Sequence, residues 1–244
     1  MLSDNKTICV MGMFRSGTNF FRSVIELNYH ADVIYNTYGW KHGFYPVVSS
    51  DSGFKVNEFN VFMTKDPYNQ AFSILRYYKQ NKRNIRTLSN SGDIMRSPFV
   101  IFDGLQRHGV ELRFSNLIDY YNSINWNYIT AAKSREGNTH IRYEFLSSNP
   151  NVVLERIQKL FNIRRKPGVL TITDNVLKNM NDKQESRDPD NASSYDRGKK
   201  FHPLDRGEVF SYLGEANVNF INENVDRDLV RRLGYNIIEW KNAH

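Results

Sequence analysis

Between an apolar stretch, Ile8 to Met11, and an amphipathic one, Thr18 to Asn28, the chain reads Gly12-Met13-Phe14-Arg15-Ser16-Gly17-Thr18-Asn19. This is the G-x-x-x-x-G spacing of a phosphate-binding loop, set at the junction of a predicted strand and a predicted helix. There the backbone N–H groups of the turn and the positive end of the helix converge on an anion. A nucleoside-triphosphate kinase or hydrolase continues its second Gly with Lys and then Ser or Thr, the Lys bridging phosphates and the hydroxyl holding magnesium. Here Thr18 and Asn19 follow Gly17, and the cation comes earlier, at Arg15. Arg15, with hydroxyls at Ser16 and Thr18, suits a single 5′-phosphate bonded to a transferable sulfuryl group. That group carries less charge than a terminal phosphate, and Arg15 is placed to stabilise charge developing on the bridging oxygen.

A second group of interest is Lys65 with Ser73. Lys65 ends the apolar run Val61-Phe62-Met63-Thr64, and Ser73 lies eight residues later, two turns into a helix expected from Pro67. For proton removal, a His near neutral pKa is the usual base. There are six, His30, His42, His108, His140, His202 and His244. His42 falls between the two anion-binding units, in Gly39-Trp40-Lys41-His42-Gly43. His140, inside a predicted strand, reads as a structural residue.

The elements that must position these residues alternate. Strand, loop and helix run from Ile8 to Asn28. A second strand, turn and helix run from Val61 to Tyr78, with Phe72, Leu75 and Tyr78 at three-residue steps. A helix is predicted over Leu117 to Ala132, a strand over Thr139 to Tyr143 and a helix over Asn151 to Leu160. Strands alternating with helices predict an α/β fold, a mostly parallel β-sheet flanked by helices, in one domain spanning 1–244. The polar stretch 182–206 reads as a long mobile loop over the site. Helical character returns over Glu208 to Leu213 and Ala216 to Leu233.

At 244 residues and 40% hydrophobic content the chain can bury one sizeable core. No apolar run is long enough to span a bilayer. The N-terminus lacks a signal peptide's charged and apolar regions, so a soluble, cytoplasmic protein is expected. Cys9 is the single cysteine, which rules out an intrachain disulfide and a thiolate metal cluster. The net charge of +7 admits nucleic acid, a membrane surface or a polyanionic small ligand, and does not choose among them.

Phe14-Arg15-Ser16-Gly17-Thr18-Asn19-Phe20 resembles the 5′-phosphosulfate loop of the sulfotransferases that use 3′-phosphoadenosine 5′-phosphosulfate (PAPS). Lys65-Asp66-Pro67 with Ser73 resembles that family's 3′-phosphate signature, with Lys65 where Arg is usual; Lys keeps the charge and loses the bidentate fork. Tyr143-Glu144-Phe145-Leu146 is similar to its Tyr-Glu-Asp-Leu block. Arg197-Gly198-Lys199 is similar to the Arg-Lys-Gly stretch that closes over the nucleotide. The resemblance implies a P-loop NTPase-like sulfotransferase fold. It also implies cofactor binding by Arg15, Ser16, Gly17, Thr18, Asn19, Phe20, Lys65, Ser73, Tyr143, Arg197, Gly198 and Lys199, with Phe20 and Tyr143 on the adenine. By position it makes His42 the base, lets Lys41 and Arg15 support the leaving oxygen, and makes Trp40 a wall of the acceptor pocket. Phe145 replaces the family's Asp, and Glu144 is read as structural.

The expected donor is therefore PAPS, with adenosine 3′,5′-bisphosphate (PAP) as product and no metal. The acceptor is expected to be a small metabolite or a carbohydrate with a hydroxyl or amine, and a homodimer is possible. Two rivals remain: a P-loop kinase-like phosphotransferase, and a non-catalytic nucleotide- or nucleic-acid-binding protein. Neither accounts for both phosphate units, and no nucleic-acid partner is expected.

Overall fold

The computed structural model describes residues 5–38, 40–46, 57–80, 93–102, 111–167 and 205–242. Four strands, β1 (Lys6–Gly12), β2 (Ala31–Ile34), β3 (Phe59–Thr64) and β6 (Asn138–Arg142), form a parallel sheet in the order β2-β1-β3-β6. Two further short strands, β4 (Phe99–Phe102) and β5 (Glu111–Phe114), pair antiparallel in a separate ribbon. The α/β class with a mostly parallel, helix-flanked sheet is thus as expected.

The central strands are apolar on both sides because both sides are covered. Ile8 and Val10 of β1, with Val61 and Met63 of β3, meet Phe20, Phe21, Val24 and Ile25 of α1 (Thr18–Asn28) and Val153, Leu154 and Ile157 of a later helix, Pro150–Phe161. Cys9, Met11 and Phe62 point the other way. They join Ala71, Phe72 and Ile74 of α2 (Pro67–Gln80), Ile124 and Tyr128 of α3 (Leu117–Ser134), and Val209 and Phe210 of α6 (Arg206–Asn224). The helix after β1 and the helix after β3 therefore lie on opposite faces. The carboxyl ends of β1 and β3 form the crevice where the winding reverses, the place at which open α/β sheets hold ligands.

Several boundaries differ from expectation. Tyr143 does not end the last strand; it opens α4 (Tyr143–Ser148), followed by α5 (Pro150–Phe161). Strand β6 stops at Arg142 because that residue is paired with Thr64, where β3 itself ends. The long loop does not extend through 206: Asp205 caps α6 by accepting from the Glu208 N–H at 2.9 Å, and Arg206 is already helical. The helix expected over Ala216 to Leu233 is two. The first of these, α6, kinks at Gly214 (φ 71°) and ends at Asn224, and α7 (Arg227–Arg232) restarts behind Asp226, whose carboxylate accepts from the Leu229 N–H at 3.0 Å. A short 3-10 turn, Trp240–Asn242, ends the described chain. Among the described residues no helix is long and apolar enough to cross a membrane.

Candidate phosphate-binding and transfer site

The Gly12–Gly17 loop leaves β1 and enters α1 through two left-handed residues, Arg15 (φ 71°) and Gly17 (φ 93°). Gly17 has no alternative. A Cβ there lies 2.4 Å from Cδ2 of Tyr143, and the backbone angle already disfavours any side chain. At Gly12 a Cβ meets Ser16 Oγ at 2.3 Å. Helix α1 starts with no side-chain cap and no acidic residue in its first turn, so its first N–H groups are left for a ligand. Ser16 is 1% exposed, and its Oγ has no hydrogen-bond partner among the described residues. A buried hydroxyl of that kind costs free energy until something meets it.

Lys65, just past β3, is brought to the same place. Its Nζ donates to Ser73 Oγ at 2.8 Å and to the Arg15 carbonyl at 3.4 Å, and sits 4.3 Å from the centre of the Tyr143 ring. Since the lysine donates to Ser73 Oγ, the serine keeps its own proton for an acceptor. Lys65 is 5% exposed, and burial brings its ammonium down to about 8. Asp66 caps α2 by accepting from the Tyr68 and Asn69 N–H groups at 3.0 and 3.2 Å. One turn on, Gln70 Nε2 donates to the Phe14 carbonyl, so α2 grips the loop directly.

The Trp40–Gly43 turn closes the other side. The Gly12 N–H donates to the Lys41 carbonyl at 3.0 Å, and His42 Nδ1 lies 2.6 Å from the Gly12 carbonyl. A carbonyl can only accept, so Nδ1 carries the proton and Nε2 keeps its lone pair. Nε2 has no hydrogen-bond partner among the described residues. Burial, then the neighbouring Lys41 charge, pushes the imidazole down to about 3. Phe14 and Trp40 stand edge-on to His42 at 5.4 and 4.8 Å, and Tyr77 continues the wall 5.0 Å from Phe14. Arg15 covers the Tyr77 ring at 5.0 Å. Lys41 Nζ donates to Asn19 Oδ1 at 2.7 Å and rests 3.8 Å from the Tyr35 ring centre, with its pKa lowered by burial to about 8.

Helix α3 locks both cation-bearing turns from beneath. The Tyr120 hydroxyl donates to the His42 carbonyl at 2.7 Å, Tyr128 to that of Gly43 at 2.8 Å, and Tyr121 to that of Lys65 at 2.9 Å. Asn127 takes both backbone groups of Tyr45, accepting from its N–H at 2.7 Å and donating to its carbonyl at 3.0 Å.

Of the residues expected at the site, Arg15, Ser16, Gly17, Lys65, Ser73 and Tyr143 converge, and Asn19, Lys41 and His42 border them. Thr18 is buried at the helix start. Phe20, expected against an adenine, is a core residue 2% exposed, with its ring 6.2 Å from Tyr143 and tilted edge-on to it. Arg197, Gly198 and Lys199 lie outside the described residues, as do His108, His202 and His244. His140 is held by Thr64, with Oγ1 2.5 Å from Nε2. Glu144 is a bracket: it accepts from the Asp66 N–H, Asn69 Nδ2 and the Tyr235 hydroxyl at 3.0, 3.0 and 2.8 Å. Sequence reasoning missed Gln70 and the α3 tyrosines. It also missed Asp66 as the cap of α2, for which an Asp directly ahead of Pro67 is a signal; the tyrosines carried no signal beyond their aromatic character. No family model, no curated protein and no solved structure matches this chain, and function has to be read from this geometry.

Proposed function

We propose that the chain is a PAPS-dependent sulfotransferase with a P-loop-like site, passing a sulfuryl group to a hydroxyl or amine of a small acceptor, a metabolite or sugar. The reading rests on one observation above all: the Lys65–Ser73 pair touches the carbonyl of Arg15, so two separate anion-binding units share one crevice. One doubly phosphorylated nucleotide spans such a pair, and a nucleoside triphosphate with a single phosphate chain leaves half of it unused. The orphaned Ser16 hydroxyl and the uncapped start of α1 fit the same ligand.

The donor supplies an activated sulfuryl group on its 5′-phosphate. Lys65 and the free proton of Ser73 hold the 3′-phosphate, while the loop N–H groups, Ser16 and Arg15 hold the 5′ end. Tyr143, wedged on Gly17 with Lys65 against its face, offers a ring for the base. His42 Nε2 takes the acceptor proton. An imidazole held near 3 is a weak base, and the negative charge of the bound donor beside it is what raises its proton affinity. Lys41, bound to Asn19, adds positive charge at the start of α1. The aromatic wall of Phe14, Trp40 and Tyr77 orients the acceptor and keeps water from the imidazole.

The test is thermal stabilisation by PAP compared with ATP and magnesium. A clear preference for PAP is expected; equal or absent shifts in a folded sample remove the proposal.

A further inference from the structure

A cavity of about 380 Å³ opens beside this site, lined by Asp66, Glu144, Arg142, Arg206, Phe210 and Tyr235 among others. None of the Gly12–Gly17 loop, Lys65, Ser73 or His42 lines it. It lies within the size range of small-ligand pockets.

Its charged groups are incompletely paired. Glu144 spends Oε1 on the Asp66 N–H and Asn69, and Oε2 on Tyr235. Asp66 spends Oδ1 on two N–H groups of α2. Asp66 Oδ2 accepts nothing among the described residues, and no Lys or Arg there forms an ion pair with either carboxylate. Desolvation, then the Glu144 charge, raises the Asp66 carboxyl to about 7, against the opposing pull of the Asn69 and Tyr68 N–H groups and of the Arg206 charge; a cation placed directly on Oδ2 relieves what remains. Arg142 is engaged, with Nη1 2.5 Å from the Gly234 carbonyl. Arg206 at the head of α6 is exposed and makes no hydrogen bond or ion pair among the described residues. The lining therefore includes a carboxylate oxygen without a hydrogen-bond donor, a guanidinium that acts on Asp66 through its charge without forming an ion pair, and the ring of Phe210.

We infer that this cavity is a second small-molecule site, for a zwitterion that puts a primary ammonium on Asp66 Oδ2 and an acidic group on Arg206. The inference does not depend on the sulfotransferase reading. Lys65 and Ser73 attract an anion alone, whereas this cavity requires both signs of charge.

The experiment is an NMR titration of the full chain with unbranched ω-amino acids from glycine to 6-aminohexanoate, with pentylamine and pentanoate as single-charge controls. Saturable shifts at the amides of Asp66, Asn69 and Arg206 are expected for the members whose length matches the cavity, with pentylamine weaker and pentanoate silent. Asp66→Asn, which keeps the helix cap, abolishes binding of both amines. Arg206→Ala removes the advantage of the zwitterion over pentylamine and does not weaken pentylamine binding. No saturable shift for any member, or shifts unchanged in Asp66→Asn, overturns the assignment. Should Asp66→Asn not fold, the side-chain ¹³C titration of Asp66 in the unaltered protein decides: its midpoint falls when the site fills and stays in place if the site does not exist. PAP added to the same samples reads the Lys65 site separately, so either proposal can fail alone.

Discussion

Lys65 Nζ donates to Ser73 Oγ at 2.8 Å, joining the end of a strand to the second turn of the following helix. The pair leaves one ammonium and one hydroxyl proton directed at a common anion. Ser73→Ala should weaken PAP binding by about tenfold to a hundredfold, the worth of a hydrogen bond to a charged group, and Lys65→Ala should weaken it further. Isothermal titration calorimetry measures both, and unchanged affinity in Ser73→Ala disconnects this pair from the ligand.

Lys41 and Lys65 are both held near 8, below their ordinary 10.5. Between those limits the unfolded chain binds more protons than the folded one, so these two groups add stability to the ligand-free protein as pH rises through the window. Anion binding has the opposite sign, because it needs the ammonium form. The thermal shift produced by PAP should be full near pH 7 and shrink above about pH 8 while the ligand-free midpoint does not fall in parallel. A PAP shift that is constant from pH 7 to 10 contradicts the assignment of these lysines.

His42 is neutral, with its proton on Nδ1, in the ligand-free protein. Its folded pKa lies below the unfolded value, so its contribution to stability is complete above about pH 6.5 and is lost as pH falls toward 3. Long-range ¹H–¹⁵N spectra should show this tautomer unchanged from pH 7 to 5, and addition of PAP should raise the titration midpoint. His42→Ala should retain PAP binding within about threefold, because a neutral ring contributes little charge attraction, and should abolish the proposed sulfuryl transfer to any acceptor for which the unaltered protein shows it.

Gly17→Ala forces a side chain into a left-handed backbone and onto the Tyr143 ring. A loss of about 2–4 kcal/mol is expected from the two effects together, measured by urea unfolding. Measured against Tyr143→Ala alone, which removes the ring, adding Gly17→Ala should cost only the backbone part of this. No cost in that background would show that the backbone angle costs nothing.

Tyr120→Phe leaves the His42 carbonyl without its donor in a fully buried place. The cost should be about 1–3 kcal/mol, by thermal or urea unfolding. Tyr121→Phe should cost a similar amount and also weaken PAP binding, because it releases the Lys65 turn.

The local order of the site was written in the chain. The strand, glycine loop and helix from Ile8 to Asn28 follow from apolar runs bracketing two glycines, and the spacing of Lys65 and Ser73 is a property of two helical turns. Both depend on contacts a few residues apart, so periodicity reveals them. Strand β2 is only four residues long and too short to show a period, and Tyr143 reads like its strand neighbours until the strand runs out of partner. Neither was visible without the sheet. Which helix covers which face, and hence that β1 and β3 part at the crevice where Arg15 and Lys65 meet, is decided by burying both faces of the sheet at once. The same packing put Phe20 in the core, set three α3 tyrosines under the turns at His42, Gly43 and Lys65, and left Asp66 Oδ2 facing an open cavity. These are long-range pairings, 78 residues apart for Tyr120 with His42 and 91 for Tyr235 with Glu144, and no local pattern encodes them.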